Sequence, residues 1–233
     1  MSNDEFKREA ANAAVERYVH SGMVVGLGTG STATLAVRRI GELIASGDLG
    51  DVSGVPTSAR TMALANELGI PLATLADVRP RLTIDGTDEV SPDLALIKGR
   101  GGALLREKIV ASSSEEGLIV VADSTKAVEA LGAGPLPVEI DSFGWQATLE
   151  ALASLGCEPE LRMDQADPDH PFVTDGGHYT ADCRFDPISD PAALEVEIKK
   201  IPGALECGLF VSIARTAIIA GEDGPRSIGA TPR

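Results

Sequence analysis

The sequence predicts an α/β protein in which a Rossmann-like, mainly parallel sheet flanked by helices is joined to a smaller ferredoxin-like α+β domain. Three observations carry this expectation. Short apolar, often β-branched runs such as MVVGL at 23–27 and LIVVA at 118–122 alternate with stretches of helical period, the pattern of parallel strands covered on both faces. After the Gly- and Pro-rich start of LGAGPLPVEI at 131–140 the order changes to β-α-β-β-α, which fits a small antiparallel module. The length of 233 residues suffices for one substantial core with a smaller companion.

The opening segment reads as an amphipathic helix over 4–20, capped by Asn3 or Asp4. A strand is expected at 23–27, a helix at 32–46, a short strand near 52–56 and a helix at 59–69. Strands 82–85 and 94–97, helix 102–113 and strand 117–122 complete the first run. The second part holds strand 136–140, helix 144–155, strand 158–163, the polar loop DQADPDH, strands 171–174 and 178–183, and helix 190–200. The tail GLFVSIARTAIIAGEDG reads as two more strands returning to the first sheet. Residues 1–131 plus 206–233 should therefore form the main domain, and 132–205 the small one.

A formal net charge of -15 argues against a nucleic-acid partner, which needs clustered Lys and Arg. No signal-peptide pattern opens the chain and no apolar run reaches membrane length, so a cytoplasmic protein without a membrane partner is expected. Cys157, Cys183 and Cys207 are odd in number and lack any C-x-x-C pair, which favours small apolar packing in a reducing compartment. His20, His170 and His178 share no ligand spacing and the acidic loop 164–169 reads as a solvated turn, so no metal site is expected.

The chemistry concentrates in three places. GLGTGSTA, residues 26–33, sets three glycines and the hydroxyls of Thr29, Ser31 and Thr32 at a strand-to-helix turn. Glycines admit close approach, and the first turn of a helix offers free N–H groups and positive potential, so the turn suits an anion. It fails as a dinucleotide site, because its glycines run G-x-G-x-G and the next strand ends in VPTS without an acidic residue. A monophosphate site, with Ser58 adding a hydroxyl, and a plain tight turn capped by Ser31 both remain open. In LTIDGTDEVSPDLALIKGRGGALLREKIV, residues 82–110, Asp85, Asp88 and Glu89 end one strand, Lys98 ends the next, and a glycine turn leads to Glu107. A tuned base, a lysine to steady negative charge and carboxylates to hold hydroxyls make a proton-transfer site. The alternative is a β-turn, with Glu107 paired to Arg106 or Lys108 on a wet helix face. VADSTK places Lys126 at the same sheet edge, either solvated or facing an anion.

Together VGLGTGSTA, GVPTS, IDGTDEV, IKGRGGALLREKIV, VADSTK, PLPVEI and IPGALECGLF resemble, in order and spacing, the A-type ribose-5-phosphate isomerases. The resemblance covers nearly the whole chain. It implies a cofactor-free and metal-free aldose–ketose isomerase of the pentose phosphate pathway that takes a small sugar phosphate and assembles as a homodimer or homotetramer. It further implies that Glu107 is the general base, that Asp85 and Asp88 hold sugar hydroxyls and assist ring opening, and that Lys98 steadies the developing oxyanion. Lys7, Gly28, Thr29, Gly30, Ser31, Thr32, Ser58, Gly86, Gly99, Gly101, Gly102 and Lys126 complete the expected substrate-binding set. Arg100 stands where some family members carry glycine and is given no role. Residues 156–190 match least well.

Overall fold

In the computed structural model, which describes residues 2–185 and 187–230, helix α1 (Asn3–Tyr18) leads into β1 (Val24–Leu27), α2 (Ser31–Ser46), β2 (Ser53–Pro56), α3 (Ala59–Glu67) and β3 (Leu82–Gly86). Short strands β4 (Glu89–Val90) and β5 (Leu96–Ile97) precede α4 (Leu104–Ser113) and β6 (Leu118–Asp123), which runs into a 3-10 turn, Ser124–Lys126. The chain continues through β7 (Leu136–Ile140), α5 (Trp145–Ala153), β8 (Glu158–Leu161), β9 (Tyr179–Arg184), α6 (Pro191–Lys199) and β10 (Ala204–Cys207). It closes with β11 (Leu209–Phe210), β12 (Ala214–Gly221) and β13 (Gly224–Gly229).

The main sheet has the order β13-β12-β6-β3-β1-β2 and is parallel except for the terminal hairpin of β12 and β13. Its central strand β6 is buried at every position, as the apolar run Leu118–Ala122 that precedes its last residue, Asp123, requires. Alternate residues serve opposite faces. Ile119 and Val121 join Phe6, Ala10 and Val15 of α1 and Val37 and Ile40 of α2, while Leu118 and Val120 pack against Leu96, Phe210 and Ile219. Each such aliphatic side chain contributes roughly 1.5–3 kcal/mol by leaving water.

The second sheet has the order β10-β7-β9-β8 with every pair antiparallel. Its last strand lies beside its first and two helices interrupt the strands, the ferredoxin-like arrangement expected from sequence. Its core joins Leu136, Val138, Ile140, Leu152, Ala181 and Ile198 with the three cysteines, all buried and free.

Four expectations need correction. The helix cap is Ser2, in a reciprocal capping box with Glu5, rather than Asn3 or Asp4. Residues 171–174 form no strand. Pro171 has no N–H to give a ladder, and only an isolated bridge to Met163 remains before the turn closed by Thr174 and His178. The expected strand 94–97 shrinks to β5 and sits in a third, antiparallel sheet of order β11-β5-β4. That sheet takes Leu209 and Phe210 out of the tail, so of GLFVSIARTAIIAGEDG only β12 returns to the main sheet, and the second returning strand, β13, begins at its last residue and runs to Gly229. Among the described residues no helix is long and apolar enough to cross a membrane.

Candidate active site

Parallel strands deliver their carboxyl ends to one edge, where open α/β sheets place ligands. Here β1 ends in the glycine turn, β3 in Asp85 and Gly86, and β6 in the turn that carries Lys126. The cleft at that edge is lined by residues 29–32, Gly86, Thr87, Asp88, Lys98, Gly99, Gly101, Glu107 and Lys126.

At its floor lie three buried ionisable groups. Lys98, 2 % exposed, donates from Nζ to the Gly86 carbonyl at 2.5 Å and to Glu107 Oε1 at 3.2 Å. Asp85 Oδ2 is also 3.2 Å from that ammonium, while Asp85 Oδ1 accepts from Thr29 N at 3.0 Å and Gly86 N at 2.7 Å. The Phe210 ring lies beneath, 5.5 Å from Lys98 Nζ. Two carboxylates thus share one cation in a nearly dry site. Burial, opposed by Lys98 and reinforced by Asp85, pushes Glu107 up to about 8, and burial likewise raises Asp85. Burial alone would lower Lys98, but Asp85, Glu107 and Asp88 hold it above the ordinary lysine value and so charged. Glu107 Oε2 is buried without a hydrogen-bond partner among the described residues. A buried acceptor left open in this way is free to receive a proton. The wet-face alternative fails, since Arg106 turns to Asp175 and Lys108 to Glu195 and Glu206 while Glu107 faces inward.

The glycine turn separates into two functions. Thr29 and Ser58 do not present their hydroxyls to the cleft. Thr29 Oγ1 lies 2.7 Å from Thr57 Oγ1, 2.8 Å from Ser58 Oγ and 3.0 Å from Thr61 Oγ1, and Thr61 in turn donates to the Gly28 carbonyl. Ser58 caps α3 by accepting from Thr61 N at 3.0 Å. This hydroxyl cluster, of which sequence reading found only Thr29 and Ser58, welds β1 to β2. Its signal was present in VPTSART, where Thr61 follows the cap Ser58 at the N3 spacing. The capping alternative for Ser31 also fails: the cap of α2 is Gly30, at φ 113°, which makes no side-chain cap. The first amides of α2 are therefore left to face the cleft beside Ser31, Thr32 and Lys126. Gly28 approaches Asp85 so closely that a Cβ there would lie 2.3 Å from Oδ1.

Asp88 Oδ2 accepts from Arg100 N at 3.0 Å, and Gly99 is held at φ 103°. Gly102 is covered by the Phe172 ring and lies outside the cleft lining. Lys7 pairs with Asp4 at 3.0 Å on α1 and is not brought to the cleft. Glu195, Glu206 and Cys207 come within 4.8 Å of one another, but the Lys108 ammonium already stands 2.7 Å from Glu195 and 2.8 Å from Glu206. That cluster is neutralised by a lysine of the chain itself.

The sequence profile of ribose 5-phosphate isomerase A (phosphoriboisomerase A) matches residues 53–224. A ribose-5-phosphate isomerase A of Gloeobacter violaceus is 56 % identical over 227 residues, covering 96 % of each chain. Another, from Roseiflexus castenholzii, is 50 % identical over 96 % of this chain and 95 % of its own. Among solved structures, a D-ribose-5-phosphate isomerase in complex with phospho-erythronic acid superposes with a TM-score of 0.94 at 38 % identity, covering 100 % of both chains. The ribose 5-phosphate isomerase of Plasmodium falciparum superposes at 0.93 with 41 % identity, covering 98 % of this chain and 99 % of its own. The chain belongs to the ribose-5-phosphate isomerase A family.

Proposed function

We propose that this chain interconverts D-ribose 5-phosphate and D-ribulose 5-phosphate by proton transfer at the Asp85, Lys98 and Glu107 cluster. The observation that carries the reading is Glu107 itself, a carboxyl at the cleft floor with one open oxygen and a pKa near neutrality. In this reading Glu107 takes the proton from C2 of the open-chain aldose. The electron pair moves into a C1–C2 double bond and the carbonyl oxygen on C1 becomes an oxyanion. The Lys98 ammonium steadies that charge in a medium where water contributes little. The proton of the C2 hydroxyl passes to the oxygen on C1, and Glu107 returns its proton to C1, leaving a carbonyl at C2. The two oxygens stay on one side throughout, as a cis-enediolate demands.

Asp85 acts from behind the cleft, ordering the Thr29 and Gly86 amides and raising the basicity of Glu107. Asp88, at the cleft wall, is the acceptor for sugar hydroxyls and for ring opening. The α2 amides, Ser31, Thr32 and Lys126 take the phosphate, whose binding energy orients the distant reacting carbons. The proposal places this work in residues 1–131 and 206–233, with 132–205 as a supporting domain, in a cytoplasmic homodimer or homotetramer.

The test is interconversion of the two sugar phosphates by purified protein in EDTA without added cofactor, beside Glu107→Gln. Turnover by the wild type and its loss in the variant are expected. A wild-type protein that binds ribose 5-phosphate without turning it over would overturn the reading in favour of a sensor.

A further inference from the structure

The turn after Lys98 is Gly99-Arg100-Gly101-Gly102, so Arg100 carries the one side chain that can tether it. That side chain is spoken for. Its Nη2 lies 2.7 Å from Glu89 Oε1, and Glu89 is 3 % exposed. The Glu89 carboxylate also accepts from Gly132 N at 2.8 Å, Ala133 N at 3.3 Å and Gly134 N at 2.8 Å. Three backbone amides and a guanidinium satisfy the acceptor oxygens of this buried carboxylate. The fit is close: a Cβ on Gly134 would stand 2.2 Å from Arg100 Nη2. It also has an energetic penalty, since Arg100 Nε is buried without a partner among the described residues.

The backbone of Arg100 does something different. Its N–H donates to Asp88 Oδ2 at 3.0 Å, and among the described residues the Asp88 carboxylate makes no other hydrogen bond. One residue therefore grips two consecutive carboxylates, Asp88 with its main chain and Glu89 with its side chain. Arg162 steadies the same turn from the other side, donating to the Gly99 and Arg100 carbonyls at 3.3 and 3.2 Å.

We propose that Arg100 is a positioning residue for Asp88, its ion pair with Glu89 fixing the glycine turn so that the Arg100 N–H aims Asp88 at the sugar hydroxyls. The inference rests on the isomerase reading above. Without the guanidinium the N–H remains but the turn, three-quarters glycine, keeps only Arg162 as a side-chain tether and is less tightly fixed, and a small misplacement of a hydroxyl acceptor weakens binding disproportionately. Arg162 still holds the turn, so the fold survives.

The experiment compares wild type, Arg100→Ala and Arg100→Lys in steady-state kinetics on ribose 5-phosphate, in binding of phospho-erythronic acid and in thermal unfolding. Arg100→Ala should raise KM and the phospho-erythronic acid dissociation constant about tenfold or more, with a smaller fall in kcat. Arg100→Lys keeps the charge without the planar fork and should recover part of the loss. A lowered Tm with KM, kcat and ligand affinity all within twofold of wild type would make Arg100 purely structural and overturn the proposal. Should Arg100→Ala fail to fold, Arg100→Gln, which keeps much of the side chain but removes the ion pair with Glu89, overturns it equally if its constants are those of the wild type. A wild-type protein inactive on both sugar phosphates removes the isomerase reading instead, and this inference with it.

Discussion

Lys98 Nζ stands 3.2 Å from Glu107 Oε1, with 3 % and 4 % of the two side chains exposed. In so dry a setting a lysine would ordinarily turn a glutamate into a weak base. Burial outweighs that effect, and the second carboxylate, Asp85, 3.2 Å from the same ammonium, adds to it, so Glu107 stays a stronger base than an ordinary glutamate.

Glu107→Gln preserves the shape of this arrangement and removes the base. It should lower kcat by about 10²- to 10⁴-fold or more, with KM changed little, because the lost interaction belongs to the proton-transfer step. Initial rates of ribulose 5-phosphate formation against substrate concentration give both constants. A variant that retains wild-type kcat removes Glu107 from the mechanism.

The pH dependence has opposite signs for activity and for stability. The base must be ionised, so kcat/KM should rise with pH through an apparent midpoint near 8. The folded state binds that proton more tightly than the unfolded state, whose glutamate has the ordinary value of 4.5. Stability drawn from the protonated carboxyl is full below that value and lost as pH rises through about 8. Glu107→Gln, fixed in the neutral form, should match the wild-type Tm near pH 5 and exceed it near pH 9 in thermal unfolding. An equal Tm at both pH values would show that Glu107 ionises without strain.

Much of this was legible from residue order, because strand-end carboxylates, a lysine on the next strand and a glycine turn are chemical choices written locally. IDGTDE and IKGRGG gave Asp85, Asp88 and Lys98 without reference to the fold. What sequence could not convey was direction. Thr29 and Ser31 are equally plausible hydroxyls in GTGST, yet one turns inward to three other hydroxyls and the other lies at the cleft. The strand expected at 171–174 is interrupted at Pro171, and Asp175, just beyond it, is held instead by Ala59 N at 2.7 Å and by Arg106. Such long-range partners leave no periodic trace. Glu89, indistinguishable in sequence from its neighbour Asp88, proved to be a buried anchor.

The two hydroxyl directions separate in mutants. Thr29→Val removes the centre of the cluster with Thr57, Ser58 and Thr61. It should destabilise the fold by about 1–3 kcal/mol by leaving buried hydroxyls unpaired. Lys126→Ala, at the cleft mouth and without an ion-pair partner among the described residues, should leave Tm nearly unchanged and raise KM. Inorganic phosphate should compete with substrate in the wild type and lose potency in Lys126→Ala. Chemical denaturation and inhibition kinetics distinguish the two effects, and a Thr29→Val protein of unaltered stability would refute the structural role.

Gly28 offers the sharpest steric test of the site. A methyl group there would lie 2.3 Å from Asp85 Oδ1 and 2.6 Å from the Asp85 Cα, and the backbone atom cannot move aside as a flexible side chain could. Gly28→Ala must therefore push Asp85 away from the Thr29 and Gly86 amides and from Lys98. With Asp85 displaced, Lys98 is left to Glu107, whose basicity falls. The pH midpoint of kcat/KM should drop below that of the wild type and kcat should decrease with it, although no catalytic side chain has been changed. A pH–rate profile of Gly28→Ala that overlays the wild type would mean that Asp85 does not tune the base.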